Sequence, residues 1–175
     1  MSLKPQDIVV GLKLCCYGAR RPSFAEIANE LAMSPSEVHG AVRRAQASQL
    51  LHGTEMHDRP NLNALEEFLI HGLKYAFPAK RGELTRGLPT SYAAEPLKKM
   101  IAAGNEPVPV WPYAEGQQRG IAFEPLYKTV PIAASRDPRL YQYLALADAL
   151  RDGRIRERKL AEQELIKLLH ADIHA

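Results

Sequence analysis

The chain has 175 residues, of which 46% are hydrophobic and 25% charged, the composition of an ordinary globular protein. It is too short for a typical (β/α)₈ enzyme, and its net charge of +3 does not by itself indicate a nucleic-acid binder. No run approaches the roughly 20 apolar residues that span a bilayer, and Asp7 interrupts the stretch where a signal peptide would be apolar. We therefore expect a cytoplasmic protein that makes no membrane contact.

Apolar residues recur at the spacing of amphipathic helices along most of the chain. Helix-ending and helix-starting signals divide this pattern: Gly18 ends the first helix, and Ser23 with Glu26 and Ser34 with Glu37 have the spacing of capping boxes. The predicted helices are Pro5 to Tyr17, about Phe24 to Ala32, Pro35 to about Leu51, Leu62 to Phe77, about Pro96 to Ala103, about Pro138 to Arg151 and about Ile155 to His170.

Two segments of the second half lack helical spacing. Ala79 to Glu95 is rich in Gly, Pro, Thr and Arg, which predicts a long ordered loop. Val108 to Pro112 and Arg119 to Phe123 flank a turn that contains Gly116, which predicts one β-hairpin. The polar segment Thr54 to Asn63 is the expected junction between two halves of the chain.

The second and third helices are joined by about three residues, the arrangement of a helix-turn-helix, with Ala28 as the small residue where the helices touch. The segment SFAEIANELAMSPSEVHGAVRRAQASQLL resembles the winged-helix transcription regulators of bacteria, of the MarR-like group, and the resemblance covers about residues 5–60. It implies a mainly α fold: a winged-helix-like DNA-binding domain over 1–60 and a helical C-terminal domain over 61–175 that carries the β-hairpin of about 108–123.

The resemblance also implies that the helix over 35–49 enters the major groove of double-stranded DNA. Arg43 would contact guanine, and serine hydroxyls at the helix N-terminus would contact a phosphate. Glu37 would either accept a hydrogen bond from cytosine or serve only as the capping-box carboxylate. The residues predicted to contact DNA are Ser34, Ser36, Glu37, His39, Arg43 and Arg44, together with Arg20 and Arg21 before the preceding helix.

Two positions depart from the pattern of these regulators. Ala32 stands in the turn where glycine is common, so the turn must form without a residue that tolerates positive φ. Residues 52–63 show no alternating strand pair, so the wing is expected to be very short or missing. Further contact with an anion or the DNA backbone would then come from the predicted loop, through Lys80, Arg81 and Arg86.

Other functions remain open from the sequence. Regulators of this kind usually bind DNA as dimers, so a homodimer is expected, formed through the apolar helix stripes of the second half. The alternative is an antitoxin-like or adaptor module that binds a protein partner and contacts DNA only weakly or within a complex. We expect no enzyme, cofactor or metal site, because the sequence offers no nucleophile elbow and no paired histidines at metal-binding spacing.

Overall fold

The computed structural model describes residues 1–53, 59–102 and 104–173, and for residues 172 and 173 it describes the backbone alone. The elements are α1 (Pro5–Cys16), α2 (Phe24–Leu31), α3 (Pro35–Ala47), β1 (Leu51–His52), β2 (Arg59–Pro60), α4 (Leu62–Glu67), a π-helical turn (Phe68–Gly72), α5 (Leu73–Ala76), β3 (Arg81–Pro89), two 3₁₀ turns (Ser91–Ala93 and Leu97–Lys99), β4 (Pro109–Pro112), β5 (Gln118–Phe123), α6 (Val130–Arg136), α7 (Pro138–Asp152) and α8 (Ile155–Ile173). The prediction of a mainly helical chain with a small amount of β structure is confirmed.

Capping boxes fix where α2 and α3 begin. The Ser23 hydroxyl accepts a hydrogen bond from the backbone N–H of Glu26, the Ser34 hydroxyl accepts one from that of Glu37, and both distances are 3.2 Å. Each glutamate carboxylate in turn accepts a hydrogen bond from the backbone N–H of its serine. Between the two helices Ala32 adopts a left-handed conformation with φ 54° and ψ 40°, so the turn forms without glycine.

A short antiparallel strand pair follows α3. Leu51 of β1 pairs with Pro60 of β2, and His52 pairs with Arg59. The connecting residues 54–58, which are the first half of the predicted junction Thr54 to Asn63, lie outside the part of the chain that the structure describes. Each of the two strands has two residues.

The helix predicted over Leu62 to Phe77 forms, with one irregularity. The Asn61 side chain caps α4 by accepting a hydrogen bond from the backbone N–H of Ala64, and the π-helical turn Phe68–Gly72 joins α4 to α5. This stretch buries Leu65, Leu69 and Leu73, which confirms the apolar face read from the sequence.

The predicted loop at 79–95 is wrong, and of the predicted hairpin at 108–123 both strands form but their antiparallel pairing does not. Residues Arg81–Pro89 form β3, the longest strand, which pairs antiparallel with both β4 and β5. Consequently β4 and β5 run parallel to each other, and the three strands close into a small barrel. The connection 113–117 passes β3 at Gly87, which is the register partner of both Pro112 before it and Gln118 after it, and it does not turn back as a hairpin would. Within it, Tyr113 donates its backbone N–H to the Arg86 carbonyl.

The helices of the C-terminal part are close to those predicted. The structure has α7 and α8 where the spacing indicated them, and it adds the seven-residue α6, which the sequence reasoning missed. The predicted helix over Pro96 to Ala103 is wrong: the structure has a 3₁₀ turn at Leu97–Lys99, and Ala103 lies outside the described residues.

A single hydrophobic core joins the two regions that were predicted as domains. Helix α1 packs against α3 and against α7, and α2 packs against α6. Fully buried members come from both regions, among them Ile8 and Leu31 from the first and Leu140 and Leu165 from the second. The first three helices are therefore positioned by the C-terminal helices.

A buried carboxylate ties the barrel to α7. Asp148 accepts hydrogen bonds from the Thr90 hydroxyl and the Trp111 indole N–H, both at 2.7 Å, and from Arg151 at 2.9 Å. Burial raises the pKa of Asp148, while the charge of Arg151 and the three donors oppose that rise. Because its donors come from the barrel and from α7 itself, Asp148 orients the barrel on the helical core.

Candidate nucleic-acid interface

The N-terminus of α3 is exposed to solvent. Ser34, the N-cap, and Ser36, in the first turn, both lie on the surface with their hydroxyl oxygens 3.1 Å apart. The Ser34 hydroxyl is already engaged by the backbone N–H of Glu37. The Ser36 hydroxyl forms a hydrogen bond with the Ser34 hydroxyl at the surface and takes no part in the capping box itself.

One face of α3 is directed outward while the opposite face forms part of the core. Val38, Ala41 and Val42 are buried. His39 and Arg43, one helical turn apart, are exposed, and the His39 ring packs edge-on against Phe24 with centroids 5.5 Å apart. Arg43 has no ion pair or hydrogen-bonding partner for its side chain among the described residues.

Glu37 is engaged on two sides. Its carboxylate accepts a hydrogen bond from the Ser34 backbone N–H at 2.6 Å and another from the Tyr127 hydroxyl of the C-terminal part. These hydrogen bonds, that of Ser34 first, lower the pKa of Glu37. The structure therefore has Glu37 in the capping role that was one of its two predicted roles. The other role, a contact with cytosine, remains a prediction.

Arg44 does not point outward as the sequence reasoning placed it. Its guanidinium makes a two-pronged hydrogen bond to Asp7 of α1 at 2.8–3.1 Å, and the two side chains are 17% and 0% exposed. The hydrogen bonding to Asp7 has the largest effect on the pKa of Arg44 and raises it. The physical reason for the misplacement is that α1 packs along this side of α3 and supplies a buried carboxylate.

The two arginines that precede α2 are exposed. Arg20 pairs with Glu26 at 3.8 Å, and its guanidinium lies over the Tyr17 ring at 5.4 Å. Arg21 donates to the backbone carbonyls of Gly18 and Arg20. Both side chains stay at the surface, where exposed ion pairs contribute little to stability.

The three cations predicted on a loop lie at or beside a strand instead. Lys80 precedes β3 and lies 3.9 Å from Glu124, and Arg81 pairs with Asp152 at 2.5 Å. Arg86 is the register partner of Arg119 on β5, so the two exposed arginines share one face of the barrel. Neither has an ion pair among the described residues.

Sequence reasoning missed Arg119. No signal within its own segment marks it, because its significance depends on β3 being a strand and on the register that places it beside Arg86. Two like charges directly opposite each other destabilise a strand pair, and an anion between them would relieve that repulsion.

Comparisons with known proteins add no relative. No known protein family, no curated protein and no solved structure matches the chain. In the described part of the chain, no three or more histidine, cysteine, aspartate or glutamate side chains are grouped as a metal site would require. None of the described helices is both long enough and apolar enough to cross a membrane.

Proposed function

We propose that the chain is a cytoplasmic, winged-helix-like transcription regulator, similar to the MarR-like group, that binds double-stranded DNA through α3. The observation that carries the proposal is the division of α3 into a buried face and an exposed face. The exposed face presents His39 and Arg43, together with Ser36 at the solvent-exposed N-terminus of the helix. This is the combination that a major-groove helix needs: cationic and polar side chains for base edges, with a hydroxyl for a phosphate.

Each exposed group has a proposed role. Arg43 donates a fork of hydrogen bonds to guanine, and His39 contacts a neighbouring base edge. Ser36 binds a phosphate at the helix N-terminus, and Arg20 and Arg21 bind the backbone on the side of α2. Arg44 is not part of this contact set, because Asp7 occupies its guanidinium.

The strand pair β1–β2 supports the same proposal as a short wing. It follows α3 directly, and its register partners His52 and Arg59 are both exposed. A wing with one cation and one imidazole is suited to the phosphate backbone beside the groove. Arg86 with Arg119 supplies a second cationic spot that we propose contacts phosphate in the bound state.

The first experiment selects bound sequences from a pool of randomised duplexes and measures affinity across a salt series. It compares the wild type with Arg43→Ala and, as a control, Arg156→Ala, which removes the same charge from an exposed site on α8. We expect an enriched motif in which Arg43→Ala relaxes one base position at a cost of about 1–3 kcal/mol. Arg156→Ala should leave the motif unchanged.

Two outcomes would contradict the proposal. One is absence of duplex binding, and the other is weak, sequence-blind binding that Arg43→Ala changes no more than Arg156→Ala does. Either would leave the first three helices as a scaffold for protein contacts.

A protein-binding module is the second candidate, and exposed apolar side chains favour it. Tyr75 is 77% exposed, Ile155 68% and Leu84 49%. Scattered single residues of this kind are common on monomers, but they are also where a homodimer or a different protein partner would dock. Light scattering of the purified chain, alone and with duplex, measures whether the expected homodimer forms.

A further inference from the structure

A cavity of about 570 Å³ opens where α1 and α2 meet the junction between α6 and α7. This volume falls within the range of sites that hold small molecules. The cavity brings together the turn before α2, the end of α2 and the first residues of α7. The lining residues on which the argument depends are Lys13, Tyr17, Arg20, Glu30, Arg136 and Asp137.

The inner wall is a connected polar network. Lys13, whose side chain is 6% exposed, donates to Asp137 at 2.7 Å and lies 3.0 Å from Glu30, and Glu30 also accepts a hydrogen bond from the Tyr17 hydroxyl. Burial lowers the pKa of Lys13, but its hydrogen bonds to the two carboxylates outweigh burial, so the net shift is upward. Both carboxylates therefore have cationic or hydroxyl partners within the protein.

Positive charge is in excess around the cavity. Four cationic side chains and two carboxylates line it, a net charge of +2. The Arg136 guanidinium donates one hydrogen bond to the Asn29 carbonyl at 3.0 Å, and a guanidinium has five N–H groups in all. The Arg20 guanidinium lies over the Tyr17 ring on the other side.

We propose that this cavity binds a small organic anion that carries a phosphate or at least two carboxylates. Arg20 and Arg136 would hold the anionic group by charge-assisted hydrogen bonds, and Tyr17 and Pro138 would supply the flat apolar walls. The inner carboxylates are already paired with Lys13 and the Tyr17 hydroxyl, and Arg20 makes an exposed contact of 3.8 Å to Glu26, which a bound anion would replace. The proposal does not depend on DNA binding.

The ligand would stabilise the fold, because its contacts belong to both parts of the chain. Arg20 precedes α2, while Arg136 ends α6. A ligand that binds only when these are brought together stabilises the native state by RT ln(1 + c/Kd), where c is the ligand concentration, so the stabilisation grows with the logarithm of that concentration above Kd.

Isothermal titration calorimetry and thermal unfolding, in the absence of DNA, test the site. The probes are sodium pyrophosphate for the phosphate class and sodium citrate for the carboxylate class. The ionic strength is held at about 0.15 M with NaCl for each probe. The proteins are the wild type, Arg136→Gln, Arg20→Gln and the control Arg156→Gln, which removes one charge from an exposed site on α8.

We expect saturable binding of one probe with a stoichiometry of one per chain, together with a rise in the unfolding temperature. Arg136→Gln and Arg20→Gln should each weaken that binding by about tenfold, and Arg156→Gln should leave it unchanged. The probe that binds identifies the anion class. The proposal is overturned if neither probe binds, or if the binding is equally tight in all three variants, which would place it elsewhere on the surface.

Discussion

Ala32 makes the turn between α2 and α3 in a conformation that strains the backbone of a residue with a Cβ. Ala32 has φ 54° and ψ 40°, in the left-handed region. A residue with a Cβ is sterically strained there, by about 1–3 kcal/mol. Glycine adopts this conformation freely. We expect Ala32→Gly to raise the free energy of unfolding by about 1 kcal/mol in urea titrations.

A matched control separates the local backbone effect from a general effect of glycine. Ala25 is an exposed residue of α2 with ordinary helical geometry, and Ala25→Gly should lower the stability by roughly 0.5–1 kcal/mol. If both substitutions destabilise the protein to the same extent, the conformation of Ala32 carries no strain.

The exposure of single residues on α3 shows which parts of the candidate interface could be predicted from the sequence. The helical pattern placed Ser34, Ser36, His39 and Arg43 on the exposed surface of α3, and the structure agrees. It placed Arg44 there too, although Arg44 pairs with Asp7. A pattern within one helix gives the apolar stripe, but it does not show where a distant helix supplies a buried carboxylate at the edge of that stripe.

At the scale of elements, the barrel depends on glycines where strands approach each other. A Cβ on Gly87 would lie 1.9 Å from the Trp111 carbonyl oxygen, and one on Gly120 would lie 2.1 Å from that of Val108. Backbone atoms at such distances cannot give way without moving a strand. We expect Gly87→Ala to destabilise the protein by about 3 kcal/mol or more in urea unfolding.

The control for this prediction is Gly104→Ala, because the nearest atom to a Cβ there is the backbone N of Glu106 at 4.0 Å. Its effect should stay within about 0.5 kcal/mol. A Gly87→Ala variant as stable as Gly104→Ala would mean that β3 and β4 do not approach in this way.

The barrel could not be predicted, although its second and third strands were, because β3 carries no clear alternation. Strand β3 contains Gly82, Gly87 and Pro89, residue types that are depleted in strands, and most of its residues are exposed. It pairs with β5 along its first part and with β4 along its last part, so no single face is buried along its length. Segments of this kind become strands only through partners distant in sequence, whereas α7 and α8 are fixed by periodicity within the segment.

At the scale of the whole molecule, polar contacts fix α3 and α1 against the C-terminal part. Lys13 of α1 donates to Asp137 at the start of α7, and the Tyr127 hydroxyl donates to Glu37 in the first turn of α3. The exposed N-terminus of α3 is therefore linked to a residue 90 positions further along the chain. The strength of this link should depend on pH, because one partner is a carboxylate.

The sign of that dependence follows from the lowered pKa of Glu37. A carboxylate whose pKa is lower in the folded than in the unfolded state stabilises the fold above its ordinary value of 4.5, and this stability is lost as the pH falls through the folded-state pKa. We expect wild type to exceed Glu37→Gln in stability at neutral pH, and the difference to shrink once the pH is below 4.5. Urea unfolding of both proteins across this range measures it, and the other carboxylates cancel in the difference.

Tyr127→Phe shows whether the link between the two parts contributes to this effect. Removing the hydroxyl leaves the backbone N–H of Ser34 as the donor to Glu37, so the folded-state pKa of Glu37 should rise toward 4.5. The stability that depends on Glu37 should then be smaller at neutral pH, and its loss on acidification should begin at a higher pH. A profile for Tyr127→Phe that runs parallel to that of wild type would mean that the cap alone sets the behaviour of Glu37 and that α3 is held in place by apolar packing.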